Sequence, residues 1–152
     1  MVQVNNTPIT LRVKFFKKGR LQYISHLDLH RLLNRALVRA GMPIWYTKGF
    51  NPHIKLVFST PLSVGTESVC EYLDIRIDRE MSCEEIKDRL NRALTDELCI
   101  LDAYIVPEKS VFADIIWARY DIRIRTSGLT AALAEEIEAK VREAMMAEKK
   151  QQ

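Results

Sequence analysis

The feature that most constrains this chain is the order in which its hydrophobic period changes. Leu11, Val13 and Phe15 alternate with Arg12, Lys14 and Phe16, a period of two that predicts a half-buried strand. Lys17-Lys18-Gly19-Arg20 reads as a turn and Leu21–Ile24 as a short extended piece. Ser25 then opens a helix, with Asp28 three residues on as a short-armed capping box. Leu29, Leu32, Leu33, Ala36 and Ala40 give that helix one apolar face, and Gly41 and Pro43 end it. Residues 44–51 read as irregular. Alternation returns at Ile54, Leu56 and Phe58, and again at Leu73, Ile75 and Ile77. Ser82 and Glu85 form a capping box before a second helix lined by Ile86, Leu90, Ala93 and Leu94. Leu101, Ala103 and Ile105 mark a fourth strand, closed by Pro107.

Strand, helix, strand, strand, helix, strand is the order of a ferredoxin-like α+β domain, an antiparallel sheet with both helices on one face. We place that domain at residues 8–108. Residues 109–152 are expected to add a strand and a helix, the start of a second similar unit or an extension of the sheet. In that strand Ile116, Ala118, Tyr120, Ile122 and Ile124 would point inward, with Trp117, Arg119, Asp121, Arg123 and Arg125 opposite them. In the helix opened by Thr130, Leu133, Ile137, Val141, Ala144 and Met145 share one side.

Hydrophobic residues make up 47% of the chain, enough for a core, and no apolar run approaches the roughly 20 residues of a membrane span. The amino-terminal residues have no basic segment leading into an apolar one, so the expected compartment is the cytoplasm. Cys70, Cys83 and Cys99 are odd in number and widely spaced. They exclude a C-x-x-C motif and make a disulfide framework improbable.

Charge divides unevenly. Residues 1–60 carry ten Lys and Arg against a single acid, Asp28, for a net of +9; the remainder carries a net of −6. A positive leading part steers anionic partners, unless the acidic remainder folds over it. Arg31, Arg35 and Arg39 recur every four residues on the face of the first helix opposite its apolar side, as a phosphate-contacting stripe or a solvated face. Tyr46, Lys48, Phe50, His53 and Lys55 interleave rings with cations. Single-stranded nucleic acid requires that combination, although either ring also suits a core. The three histidines, His26, His30 and His53, all fall in this region. His26 and His30 are four apart and with His53 would supply three imidazoles for a metal, or a general acid and base acting on RNA.

Several runs resemble one bacterial family. They are Phe15-Phe16-Lys17-Lys18-Gly19, Tyr23-Ile24-Ser25-His26-Leu27-Asp28-Leu29, Arg35-Ala36-Leu37-Val38-Arg39-Ala40-Gly41-Met42-Pro43 and Lys48-Gly49-Phe50-Asn51-Pro52-His53. Pro61-Leu62-Ser63-Val64-Gly65 and Glu71-Tyr72-Leu73-Asp74 complete the set. Over residues 10–80 the chain is similar to the radical-SAM-linked domain of unknown function. The resemblance implies a radical-SAM protein as partner and an accessory role in RNA modification. The iron–sulfur cluster and S-adenosylmethionine would reside in that partner, because this chain lacks the three-cysteine cluster motif. Members tend to be longer at the carboxyl end, in keeping with an incomplete second unit. A fainter, fold-level similarity runs to the CRISPR repeat-processing endoribonucleases. The expected function is therefore a non-catalytic RNA-binding module. A metal- or histidine-dependent RNA-processing enzyme and a purely protein-binding scaffold are the alternatives.

Overall fold

The computed structural model describes residues 7–107, 112, 118–123, 127–128 and 130–148, with backbone alone for 144–148. The chain divides into two compact units, Met1–Asp114 and Ile115–Gln152. The first is a mixed α/β structure whose elements run β1 (Ile9–Lys17), α1 (His26–Arg39), β2 (Leu56–Phe58), β3 (Ser68–Ile77), α2 (Cys83–Ala93) and β4 (Leu98–Val106). The four strands form one antiparallel sheet in the order β2-β3-β1-β4.

The period-two pattern of β1 explains its central place. Leu11, Val13 and Phe15 are wholly buried, and the core they start is completed by Leu73, Ile75 and Ile77 of β3 and Leu98, Ile100 and Ala103 of β4. Leu29, Leu33 and Leu37 of α1 and Ile86 and Leu90 of α2 close the same cluster. Both helices thus cover one face of the sheet. Leu37 belongs to this face although its spacing was not part of the expected stripe, whereas Leu32 and Ala40 only pack at its margin.

Several local expectations change. Lys17 is not in the turn; it is the last residue of β1 and is 1% exposed. Leu21–Tyr23 belong to a 3-10 turn spanning Gly19–Tyr23 rather than to an extended piece. That turn is braced by carboxylates: the Gly19 amide donates to Glu67 Oε1 at 2.7 Å and the Arg20 amide to Glu97 Oε1 at 3.1 Å. Gly19 has φ +61°, the left-handed conformation in which a side chain is strained. Residues 44–46 are not irregular either: Ile44 bridges Ile77 and Tyr46 bridges Ile54. The Ser82 side chain makes no cap bond, and Glu85 instead pairs with Arg89 at 2.6 Å. In β4 the expected inward set fails at both ends. A bulge opposite Lys14 and Phe15 inserts Leu101, so Leu98, Ile100 and Ala103 face the core while Leu101 is exposed; Ile105, beyond the bulge and in register with Leu11, is exposed as well. Asn91 of α2 pins the bulge, accepting from the Ile100 amide at 2.7 Å and donating to the Ile100 carbonyl at 3.0 Å.

In the second unit α3 (Ala131–Glu148) begins after Thr130, whose hydroxyl accepts from the Leu133 amide at 3.4 Å. Lys140–Glu136 and Arg142–Glu138 pair along it at 2.7 and 2.6 Å. Ile137 and Val141 are half-buried and Leu133 is exposed; the Ala144 and Met145 side chains lie outside the described residues. The expected fifth strand is not formed over 118–123, where Tyr120 and Ile122 are exposed rather than inward. Ile116, Trp117, Ile124 and Arg125 lie outside the described residues. Among the described residues no helix is long and apolar enough to cross a membrane.

On the sheet face opposite the helices, Arg12 and Asp74 stand directly across β1 and β3. Their two bonds are 2.7 and 2.9 Å, and the side chains are only 12% and 11% exposed. Phe112 lies over the guanidinium at 4.1 Å. The bond to Asp74 is the main influence raising the Arg12 pKa above its ordinary value. We predict that Asp74→Ala costs about 3–5 kcal/mol in urea unfolding, because Arg12 keeps its buried charge and loses its carboxylate. The double replacement Arg12→Met/Asp74→Leu should recover most of that loss.

Candidate nucleic-acid interface

The buried face of α1 fixes what its other side offers. Ser25 caps the helix, accepting from the Asp28 amide at 3.1 Å and donating its hydroxyl to Asp28 Oδ2 at 2.7 Å. That hydroxyl, followed by Arg31, holds the Asp28 carboxyl below its usual range. Arg31 spends its charge on Asp28 at 3.1 Å. Arg39 reaches across to the end of α2, donating to the Ala93 carbonyl at 2.6 Å, where a cation complements the carboxyl-terminal helix dipole. Arg35, between them, is exposed and has no carboxylate within 4 Å among the described residues. The three arginines therefore share a stripe but not a role.

The opposing wall is a hairpin-like segment. Tyr46 and Ile54 bridge, and the Thr47 amide donates to the His53 carbonyl at 3.0 Å. The His53 amide donates back to Thr47 Oγ1 at 3.1 Å. His53 Nδ1 lies 3.1 Å from the Asn51 carbonyl and 3.0 Å from Thr47 Oγ1. A carbonyl only accepts, so Nδ1 carries the proton and Nε2 of neutral His53 keeps the lone pair. At the tip, Lys48 is exposed and Phe50 projects wholly into solvent. Gly49 at φ +135° provides the tip's turn.

Between α1 and this segment lies an open groove of about 470 Å³, lined by Asn34, Arg35, Val38, Arg39, Tyr46, His53 and Ile54. It brings together four residues singled out in the sequence: Arg35, Arg39, Tyr46 and His53. Arg31, Lys48, Phe50 and Lys55 do not line it; Lys48, Phe50 and Lys55 belong to the hairpin and its flank. Asn34 and Val38 were missed. Both lie on the turns of α1 beside Arg31 and Arg35, so the helical period that marked the arginines also marks them.

Phe58 of β2 organises the histidines. His26 meets its ring edge-on, centroids 4.7 Å apart at 71°, and His30 stands 6.3 Å away. Asn34 Nδ2 donates to His30 Nδ1 at 3.0 Å. Burial, then the charges of His26 and His53, push the His30 pKa below its ordinary value. Among the described residues no three His, Cys, Asp or Glu side chains stand together as metal ligands, so His26, His30 and His53 do not form the three-imidazole centre their spacing suggested.

A lowered histidine pKa means the unfolded chain takes up the proton first. The stability linked to His30 is complete above about pH 6.5 and is lost as pH falls from there through the folded-state value. Urea unfolding at about pH 7.5 and about pH 5.5 should reveal a smaller drop in midpoint for His30→Gln than for the wild type.

No curated protein matches the chain at a significant level. A family model described as an uncharacterised protein conserved in bacteria matches residues 10–152, nearly the whole sequence. The chain belongs to that bacterial family, DUF2344.

Proposed function

We propose that this protein is a non-catalytic module that binds RNA, a tRNA or rRNA, and presents it to a separate radical-SAM enzyme. The observation that carries the reading is the groove. Arg35, Arg39, Tyr46 and His53 converge from two chain segments, and no carboxylate lies within 4 Å of Arg35, Arg39, Lys48 or Lys55 among the described residues. Acids of the trailing part that do reach leading cations choose others: Asp74 takes Arg12 and Glu97 takes Arg20. Exposed guanidinium groups suit phosphate oxygens, and the rings of Tyr46 and Phe50 suit bases. Lys48, beside Phe50 at the hairpin tip, extends the cationic surface, and Arg31 and Lys55 flank it.

The element order with strands arranged β2-β3-β1-β4 supports a ferredoxin-like reading of the first unit. Under this reading the iron–sulfur cluster and S-adenosylmethionine belong to the partner, and the complex operates in the cytoplasm. The radical-SAM linkage rests on the motif resemblance described above. The histidines serve the site rather than catalysis, His53 by its position on the groove wall and His30 by packing beneath it.

Binding held by phosphate contacts weakens linearly in log–log fashion with salt. Titration of labelled tRNA at rising ionic strength should give a steep negative slope. Arg35→Ala and Lys48→Ala should each weaken binding and flatten the slope by about 1 without altering the circular dichroism spectrum. Binding that is absent, or indifferent to salt, would contradict the reading.

A further inference from the structure

We infer that the groove between α1 and the hairpin receives a single unpaired RNA base, its ring against Tyr46, Val38 and Ile54 and an adjoining phosphate at Arg35. The inference rests on the RNA reading above and narrows it to single-stranded segments. At about 470 Å³ the recess falls in the size range of small-molecule pockets, roughly 300–1,000 Å³.

Its composition selects the occupant. Val38 is 59% exposed and Tyr46 47% exposed, an apolar side chain and a ring held open to solvent on facing walls. Ile54, paired across from Tyr46, is buried beneath. Exposed apolar surface enclosed by cations suits a ligand with a flat uncharged face and a charged edge. The lining contains no acid, so it disfavours a cationic ligand. Glycine is also missing from the lining, so phosphate would be met by side chains and not by a backbone cradle.

Asn34 Oδ1 is buried and its Nδ2 is used on His30, so recognition falls to the face of the ring and to the phosphate. A base paired in a helix keeps its face stacked, so only an unpaired base can lay it against Tyr46 and Val38. The platform is preset, because the Tyr46–Ile54 bridge and the reciprocal Thr47–His53 bonds hold the hairpin wall.

The test compares an eight-nucleotide single-stranded RNA containing 2-aminopurine with the same sequence in a duplex, at fixed salt. We expect the single strand to bind about tenfold more tightly, with fluorescence quenched on binding, as stacking on one ring implies. Val38→Ser and Tyr46→Ala, both at exposed positions, should each reduce single-strand affinity about tenfold and duplex affinity by a clearly smaller factor. Equal affinity for both forms, or full binding by both variants, would overturn the base-binding inference while leaving RNA binding intact. If neither RNA binds, both the inference and the reading on which it rests fall.

Discussion

One-sided burial of β1 governs the rest of this molecule. Its alternating residues put Leu11, Val13 and Phe15 under two helices and leave Arg12 and Lys14 on the other face. α1 must turn Leu29, Leu33 and Leu37 down to meet that face, so the positions between them have to look outward. The arginine stripe is exposed because the leucines are not. The chain returning from α1 then bridges Ile44 to the end of β3 and Tyr46 to Ile54, which sets the second wall beside the helix. Core formation thus positions both walls, and the reciprocal Thr47–His53 bonds hold the second one in shape.

The same packing sorts the cations. Ten Lys and Arg in the first 60 residues suggest a uniformly positive surface, but they meet different fates. Arg12 is drawn into a paired site on the sheet. Lys17 is buried at the end of β1, where desolvation lowers its pKa and the charge of Glu71 partly offsets that effect. Glu71 is likewise pushed up by its own burial. Arg20 and Arg31 have acids beside them, although pairs this exposed contribute little to stability. Of those without an acid partner among the described residues, Arg35, Arg39, Lys48 and Lys55 lie on α1 and the hairpin, and Lys14 and Lys18 on and just after β1. The unpaired charge is smaller than the sequence count implies, and the larger share of it lies around the groove.

Periodicity carries its information as far as side-chain direction does, and the particular elements mark where that ends. The order of strands and helices was legible, as were the Ser25 cap and the Gly41 stop, because each depends on neighbours within one turn. The second capping box is not made: the Ser82 side chain caps nothing and Glu85 pairs with Arg89, an alternative that the S-x-x-E spacing does not contain. The β4 inward set failed at Leu101 because the bulge depends on its partner strand and on Asn91 of α2, nine residues before Ile100. Of the site, the arginines, Tyr46 and His53 were visible by residue type. That Arg39 caps α2, that Phe58 receives two histidines and that Val38 is a groove wall are tertiary facts. The alternation of residues 116–125 looked like a strand, yet 118–123 pair with nothing in a sheet. Alternation describes a surface that would suit a sheet and does not provide one.

The central claim is that the uncompensated cations around Arg35 and the apolar recess beside them form one binding surface. Mapping amide shifts by NMR on isotope-labelled protein during titration with a tRNA stem–loop tests it most directly. The account predicts that the largest shifts fall on Asn34, Arg35, Val38, Tyr46 and His53, with little change at Arg12, Tyr104 or Asp102. Shifts concentrated on that opposite sheet face, with the α1–hairpin groove silent, would contradict it.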